Sequence, residues 1–301
     1  MRISTQQFYR QGVDVMQDQQ ARLNQIQLQL ASGKKLNTPS DDPSAAVQVL
    51  NLGDVSARLS QYQRNAGTAQ SRLEQEDVTL EGISNMLQRV RELAVQGNNG
   101  TMDAANRKAI AAEIKQHLEA FMQSANTQDA NGEYVFAGFQ SATQPFTHDG
   151  AGNFTYNGDT GQRRVQIGES RDVVVGDPGS IIFDNIPANS GGTTNLGKII
   201  YDLAANYDAG NEDPNAITDL DSAIGQLLDT RAQVGARLAA IDDQRSSNDA
   251  LDLAVVQVKS SLEDLDYAGA ISRFNQQLVG LQASQQAFMK VQNLSLFNFL
   301  G

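Results

Sequence analysis

From Leu52 onward, apolar side chains recur at alternating steps of three and four residues. Leu52, Val55, Leu59, Tyr62, Ala66, Ala69, Leu73, Leu80, Ile83, Leu87, Val90 and Ala94 hold the stripe, and Glu76 alone interrupts it. Twelve of these thirteen positions are apolar, where a composition of 40% hydrophobic residues gives about five by chance. The spacing keeps one face of a helix apolar over many turns, and a helix across residues 44–96 would be roughly 80 Å long at ~1.5 Å per residue. Such a stripe needs a long partner, which excludes a small globular core built on this segment.

The second half of the chain supplies a partner. Leu220, Ile224, Leu227, Arg231, Val234, Leu238, Ile241, Arg245 and Asn248 keep one phase, and Leu251, Val255, Val258, Leu262 and Leu265 resume it three residues later. A slip of three predicts a stammer that overwinds the helix locally. Ile110, Ile114, Leu118 and Phe121 predict a shorter helix after the Asn98-Asn99-Gly100 turn. The economical arrangement is an elongated antiparallel helical-bundle rod, with residues 46–130 packed on residues 215–265.

Between these halves the pattern changes. Residues 131–200 hold 12 of the 25 glycines and 7 of the 18 Phe and Tyr residues, so turns and aromatic strands replace helical periodicity. Residues 133–137, 152–157, 164–167 and 172–175 cluster β-formers between turn residues and read as short antiparallel strands. Asp149-Gly150 and Asn157-Gly158 are hairpin-turn dipeptides. The fold class is therefore mainly α with an inserted β-rich domain. The expected organisation is an N-terminal assembly helix and joint over 1–42, rod helices over 43–131, the β-rich domain over 132–205, returning rod helices over 206–267, and a C-terminal assembly helix over 268–301.

The two ends have a character of their own. Residues 268–301 carry Arg273 and Lys290 but no acidic residue, beside Ile271, Phe274, Leu278, Leu281, Phe288, Leu294, Leu296, Phe297, Phe299 and Leu300. Near the N-terminus Tyr9, Met16, Leu23 and Leu30 recur every seven residues, with Ile26 in the intermediate seam position. A lone helix leaves such a stripe in water and does not offset the entropy of ordering its backbone. Each end is expected to stay largely disordered alone and to order when another helix covers it, the two ends pairing as a coiled coil. Between terminal helix and rod, Pro39, Asp41, Asp42 and Pro43 form a joint: an acidic cap before Pro at the first turn starts a helix, and Pro39 biases the preceding chain away from one.

Composition removes several function classes. A net charge of −12 and a pI near 4.6 argue against broad nucleic-acid binding, which needs a basic face. Cysteine is absent, so disulfides and thiolate metal sites are excluded. No apolar run reaches the length of a membrane span or a signal peptide, so secretion would not use the general route, and a surface-lying helix would need a Lys/Arg-rich polar face that the ends lack. His117 and His148 lie in different segments, and no nucleophile with an oriented base is recognisable, which predicts no catalytic, cofactor or metal site. The Gly150-Ala151-Gly152 and Gly158-Asp159-Thr160-Gly161 runs read as hairpin turns rather than phosphate loops, and residues 129–133 offer too few oxygens for a calcium loop.

Specific motifs then carry a resemblance. Met1-Arg2-Ile3-Ser4-Thr5, Leu30-Ala31-Ser32-Gly33-Lys34-Lys35-Leu36-Asn37 and Pro39-Ser40-Asp41-Asp42-Pro43-Ser44-Ala45-Ala46 resemble the N-terminus of the bacterial flagellin family. Residues 87–96 and 234–238 are similar to its rod helices. The Pro39 and Pro43 pair, Gly132-Glu133-Tyr134-Val135-Phe136-Ala137-Gly138-Phe139 and the ending Leu296-Phe297-Asn298-Phe299-Leu300 resemble the hook-associated branch of that family more than the filament subunits. The resemblance implies a structural flagellar subunit between hook and filament, with hook-associated protein 1, flagellin and copies of itself as partners. It also implies unfolded export through the flagellar type III apparatus and an export chaperone on the C-terminal helix. Arg89, Arg91, Glu92 and Gln96 are, by the same resemblance, candidate lateral contacts on the rod, on a face similar to the one an innate receptor of vertebrates reads in flagellin.

Overall fold

The computed structural model describes the backbone of residues 2–300 and the side chains of Gln7 and residues 9–290, Gln7 and this span taken together. Among the described residues, seven helices and six short strands follow one another: α1 (Arg2–Ser32), α2 (Pro43–Gly97), α3 (Ala104–Ala125), β1 (Phe146–His148), β2 (Phe154–Tyr156), β3 (Arg164–Gln166), β4 (Asp172–Val174), α4 (Gly179–Ile182), β5 (Ile186–Pro187), β6 (Thr193–Thr194), α5 (Leu196–Asp208), α6 (Ala216–Glu263) and α7 (Tyr267–Leu300). Helix accounts for 67% of the chain, and the strands lie in an inserted region, so the architecture is mainly α with a β-containing insertion. The chain divides into two compact units, one of residues Met1–Arg58 and Leu251–Gly301, the other of Leu59–Ala250.

In the Leu59–Ala250 unit, the α2 stripe packs on α6. Side-chain pairs run in opposite directions along the two helices: Gln63 with Asp249, Gln70 with Arg245, Asp77 with Arg231, and Arg91 with Asp221. From Ala66 to Ala94 every stripe residue is buried, Glu76 included. On α6 Leu220, Leu227, Val234, Ile241 and Asn248 are buried, and the Asn248 amide donates to the Ile167 carbonyl at 2.9 Å.

Helix α3 starts where Asp103 accepts the Asn106 N–H at 2.7 Å, and Ile110, Ile114, Leu118 and Phe121 face inward. Its partner α5 was not anticipated from the sequence. Leu196, Ile199, Ile200, Leu203 and Tyr207 supply the helical spacing, and Asn195 caps the first turn by accepting the Gly197 N–H. The Tyr207 hydroxyl donates to the Ala94 carbonyl at 2.8 Å, and its ring fills the space that a side chain at Gly97 would need. Arg107, 8% exposed, donates to the carbonyls of Gly97, Asn99 and Gly210 and pairs with Glu212, closing the exposed ends of α2 and α5.

The strands form three separate antiparallel hairpins, β1–β2, β3–β4 and β5–β6. Beside them four aromatic rings meet at Phe183, whose ring lies edge-on to Phe121 of α3, Phe136 and Phe146 of β1 with centroids 5.4, 5.2 and 5.6 Å away. Two strand-level expectations need correction. Residues 133–137 are not a strand: Tyr134 and Val135 donate to the Ser141 and Thr127 carbonyls, Gly138 turns the chain at φ +70°, and Phe136 enters the core instead of a ladder. Asp149-Gly150 does turn the β1–β2 hairpin, but Asn157-Gly158 does not turn one. Asn157 donates back to the Pro145 carbonyl, and the β3–β4 reversal falls at residues 167–171.

The burial pattern of α6 does not follow the predicted stammer. Helix α6 runs unbroken to Glu263, so its phase continues from Asn248 through Asp252, Val255, Lys259 and Leu262, all half-buried. Leu251 and Val258 consequently sit outside the seam, 56% and 49% exposed.

Candidate functional site

In the unit formed by Met1–Arg58 and Leu251–Gly301, α1 and α7 run antiparallel. Gly12 of α1 meets Phe288 and Gly33, just past its end, meets Tyr267, twenty-one residues apart on both segments. The Tyr9 ring packs edge-on against Phe288 with centroids 5.8 Å apart, and the absence of a side chain at Gly12 lets Phe288 approach. Tyr9, Met16, Leu23, Ile26 and Leu30 on α1, with Phe274, Leu278 and Phe288 on α7, are half-buried, and Leu281 is buried at 8% exposure. The predicted interface residue Ile271 is not brought into this seam and is 49% exposed. The side chains of Leu294, Leu296, Phe297, Phe299 and Leu300 lie outside the described residues.

One partner helix covers only part of each stripe. Val15, Leu28, Val279 and Met289 are about half exposed or more, and an open groove of about 370 Å³ remains beside Gly12, Met16 and Phe288. Farther along the same unit, Val47 and Leu50 on α2 and Leu251, Leu253, Val256 and Val258 on α6 are also exposed. The corrected phase of α6 accounts for Leu251 and Val258.

The joint is a tied corner. Helix α1 ends at Ser32, and Gly33 takes φ +72°. The Asp41 carboxylate accepts the N–H groups of Asn37 and Thr38 at 3.0 and 2.9 Å and the Gln25 amide at 3.1 Å. The Thr38 N–H first, then that of Asn37, holds the Asp41 carboxyl below its ordinary value. Asp42 accepts the Ser44 and Ala45 N–H groups at 3.1 and 3.0 Å, with Pro43 as the first residue of α2. Pro39 is exposed within this turn.

Sequence reasoning missed the other half of the corner. Lys35 N–H donates to the Glu263 carbonyl at 2.6 Å and Leu265 N–H to the Gly33 carbonyl at 3.0 Å, a two-rung clip between residues 33–35 and the α6–α7 turn. Lys34 adds an ion pair to Glu263 at 3.3 Å, and Leu265, expected in the seam, fills the turn at 8% exposure. Nothing in the local pattern of either segment signals a partner more than two hundred residues away.

The candidate lateral contacts lie in the Leu59–Ala250 unit. Arg89 pairs with Glu113 at 2.8 Å and with Glu92 at 3.1 Å, and Arg91 pairs with Asp221 at 2.5 Å. Their hydrogen bonds to these carboxylates raise both guanidinium pKa values further. Glu92 and Gln96 are exposed. Among the described residues, no group of three metal-binding side chains comes together, and no helix is long and apolar enough to cross a membrane.

Paired terminal helices with half-covered stripes in one unit, and long helices bearing small hairpins in the other, define a class of mainly helical proteins with an inserted β-containing region. The chain matches the family models for the bacterial flagellin N-terminal helical region over residues 3–141 and the bacterial flagellin C-terminal helical region over residues 217–300. It belongs to the flagellin family. It is 31% identical to the flagellar hook-associated protein 3 of Escherichia coli (strain K12), covering 99% of each chain. To the flagellin of Listeria innocua it is 25% identical, over 94% of this chain and 90% of that one. Among solved structures, the flagellar junction protein FlgL from Legionella pneumophila has a similar fold, with a TM-score of 0.63, 18% identity, and coverage of 73% of this chain and 100% of that one.

Proposed function

We propose that this protein is a structural subunit of the bacterial flagellum that forms the junction between hook and filament. The half-covered stripes of α1 and α7 carry this reading: each helix has one partner within the chain and apolar surface left for others. Covering that surface with neighbouring copies, hook-associated protein 1 on one side and flagellin on the other would supply the missing burial. The likeness to hook-associated protein 3 along nearly the whole chain supports the junction over the filament itself.

The same physics suits export. A terminal pair with little buried area opens at low cost, so the chain can leave the cell unfolded at its ends through the flagellar type III apparatus, with a chaperone holding residues 268–301 beforehand. The protein then works outside the cell, at the hook–filament junction. The tied corner at Pro39, Asp41, Asp42 and Pro43 sets the direction in which α1 leaves α2, and we assign to it the adjustment between the unlike lattices of hook and filament.

Electron microscopy of a strain lacking residues 268–301 of this protein tests the proposal. The expected result is hooks without filaments, with flagellin released into the medium. Filaments that stay attached would overturn it.

A further inference from the structure

Glu76, the one polar position in the α2 stripe, is completely buried. The residue before it in the stripe, Leu73, belongs to an apolar cluster with Val175 and Val234, and the residue after it, Leu80, belongs to the larger cluster around Phe183. Glu76 therefore stands in a polar layer between two apolar cores. Asp177, 4% exposed, reaches this layer from the loop between β4 and α4. Its N–H donates to Glu76 Oε1 at 3.1 Å. Its carboxylate takes both ends of the Arg237 guanidinium, at 2.7 and 3.1 Å, and the Gln162 amide at 2.7 Å. Glu76 Oε2 is buried and has no hydrogen-bond partner.

The charges around Glu76 are matched to one another. From α6, Arg237 is held by Asp177; from α2, Arg72 pairs with Asp129 and Glu133; from the residue before β3, Arg163 pairs with Glu133. These residues, apart from Arg237, line a cavity of about 30 Å³ together with Glu76 and Tyr134, room for one or two waters. An ionised Glu76 would thus add a buried negative charge beside the Asp177 carboxylate with no cation of its own, an expensive state in this setting.

We propose that Glu76 is a proton-held clamp: as the neutral acid it lets Asp177, itself bonded to Arg237 of α6, lie against α2, and on losing its proton it repels the Asp177 carboxylate and lets residues 175–178 go. Burial first, and the Asp177 carboxylate second, push its carboxyl up from 4.5 to about 8, while the Asp177 N–H and Arg237 pull the other way. The clamp is therefore closed at neutral pH and opens in mildly alkaline solution. The sign is opposite to that of an ordinary ion-paired carboxylate. Between 4.5 and about 8 the folded chain keeps a proton that the unfolded chain has lost, so stability falls as pH rises through this window.

Amide hydrogen exchange of residues 173–177 tests the clamp, on the full chain and on Glu76→Gln, at about pH 6.5 and 9.5 after correction for intrinsic rates. Wild-type protection should drop about tenfold or more at the higher pH, since each unit above the pKa shifts the equilibrium tenfold. Glu76→Gln, neutral at both, should not change. Protection that is constant in the wild type, or that falls equally in the variant, would overturn the proposal. Should Glu76→Gln not fold, the wild type alone decides: its infrared band of a buried protonated carboxyl must be present at the lower pH and gone at the higher. Its absence at the lower pH would refute the clamp.

Discussion

The two compact units use the same three-four helical spacing and bury it to different depths. In the Leu59–Ala250 unit, Leu73, Leu80, Leu87 and Val90 are wholly buried, because α6 covers α2 and the hairpins and α5 complete the remaining sides. In the unit formed by the two chain ends, the equivalent residues Met16, Leu23, Ile26 and Leu278 are half-buried, because a single antiparallel helix faces them. Apolar periodicity announces that a stripe seeks cover. How much cover it finds depends on how many elements the chain can bring to it.

The comparison can be broken most directly at the aromatic hub. Phe183→Ala should cost about 3–5 kcal/mol in urea unfolding, through lost transfer free energy and the cavity left among Phe121, Phe136 and Phe146. A cost below about 1 kcal/mol would mean that the hub is not a packed core. Arg107→Ala comes next, at about 3 kcal/mol, because it leaves the Gly97, Asn99 and Gly210 carbonyls and the Glu212 carboxylate without their donor. The same unfolding measurement, with a double variant Arg107→Ala and Glu212→Ala, separates the carbonyl loss from the ion pair.

In the terminal pair the matching change should be small. Phe288→Ala is expected to lower monomer stability by less than about 1 kcal/mol, since a half-covered ring has little burial to lose, while it abolishes incorporation at the junction. Monomer melting and a count of attached filaments check the two halves of that statement; a variant that assembles normally would show that Tyr9 and Phe288 are not part of the working interface. The smallest effect concerns acid. Arg163 first, opposed by partial burial and helped by Arg72, holds the Glu133 carboxyl below 4.5. That contribution is present above the ordinary value and is lost as pH falls through the lowered one. With 35% of the side chain exposed, it is screened, and Glu133→Gln should flatten acid melting curves by no more than about 1 kcal/mol.

Much of this was readable along the chain. The α2 stripe, the α3 helix after Asn98-Asn99-Gly100, and the Asp42-Pro43 start of α2 all depend on residues within a few turns of one another. Helix α5 was equally readable from Leu196 to Tyr207 but is hidden by the glycine-rich stretch that precedes it. Residues 133–137 misled because β-propensity reports a side chain suited to a half-buried surface and does not say whether a neighbouring strand exists. The apparent slip at Leu251 misled in the opposite way: apolar residues on the outer face of α6 were read as seam, although the continuous backbone keeps Asp252 and Val255 there.

By itself, then, the sequence determined the helical halves, the apolar ends and the capped joint, because each is a local pattern of period, charge or turn chemistry. The tertiary structure alone decided the clip of residues 33–35 on the α6–α7 turn, the gathering of four phenylalanines at Phe183, and the burial of Glu76 between two apolar clusters. Each of these joins segments tens to hundreds of residues apart. Their energies depend on which groups share a small volume, and no spacing along a single strand of sequence encodes that.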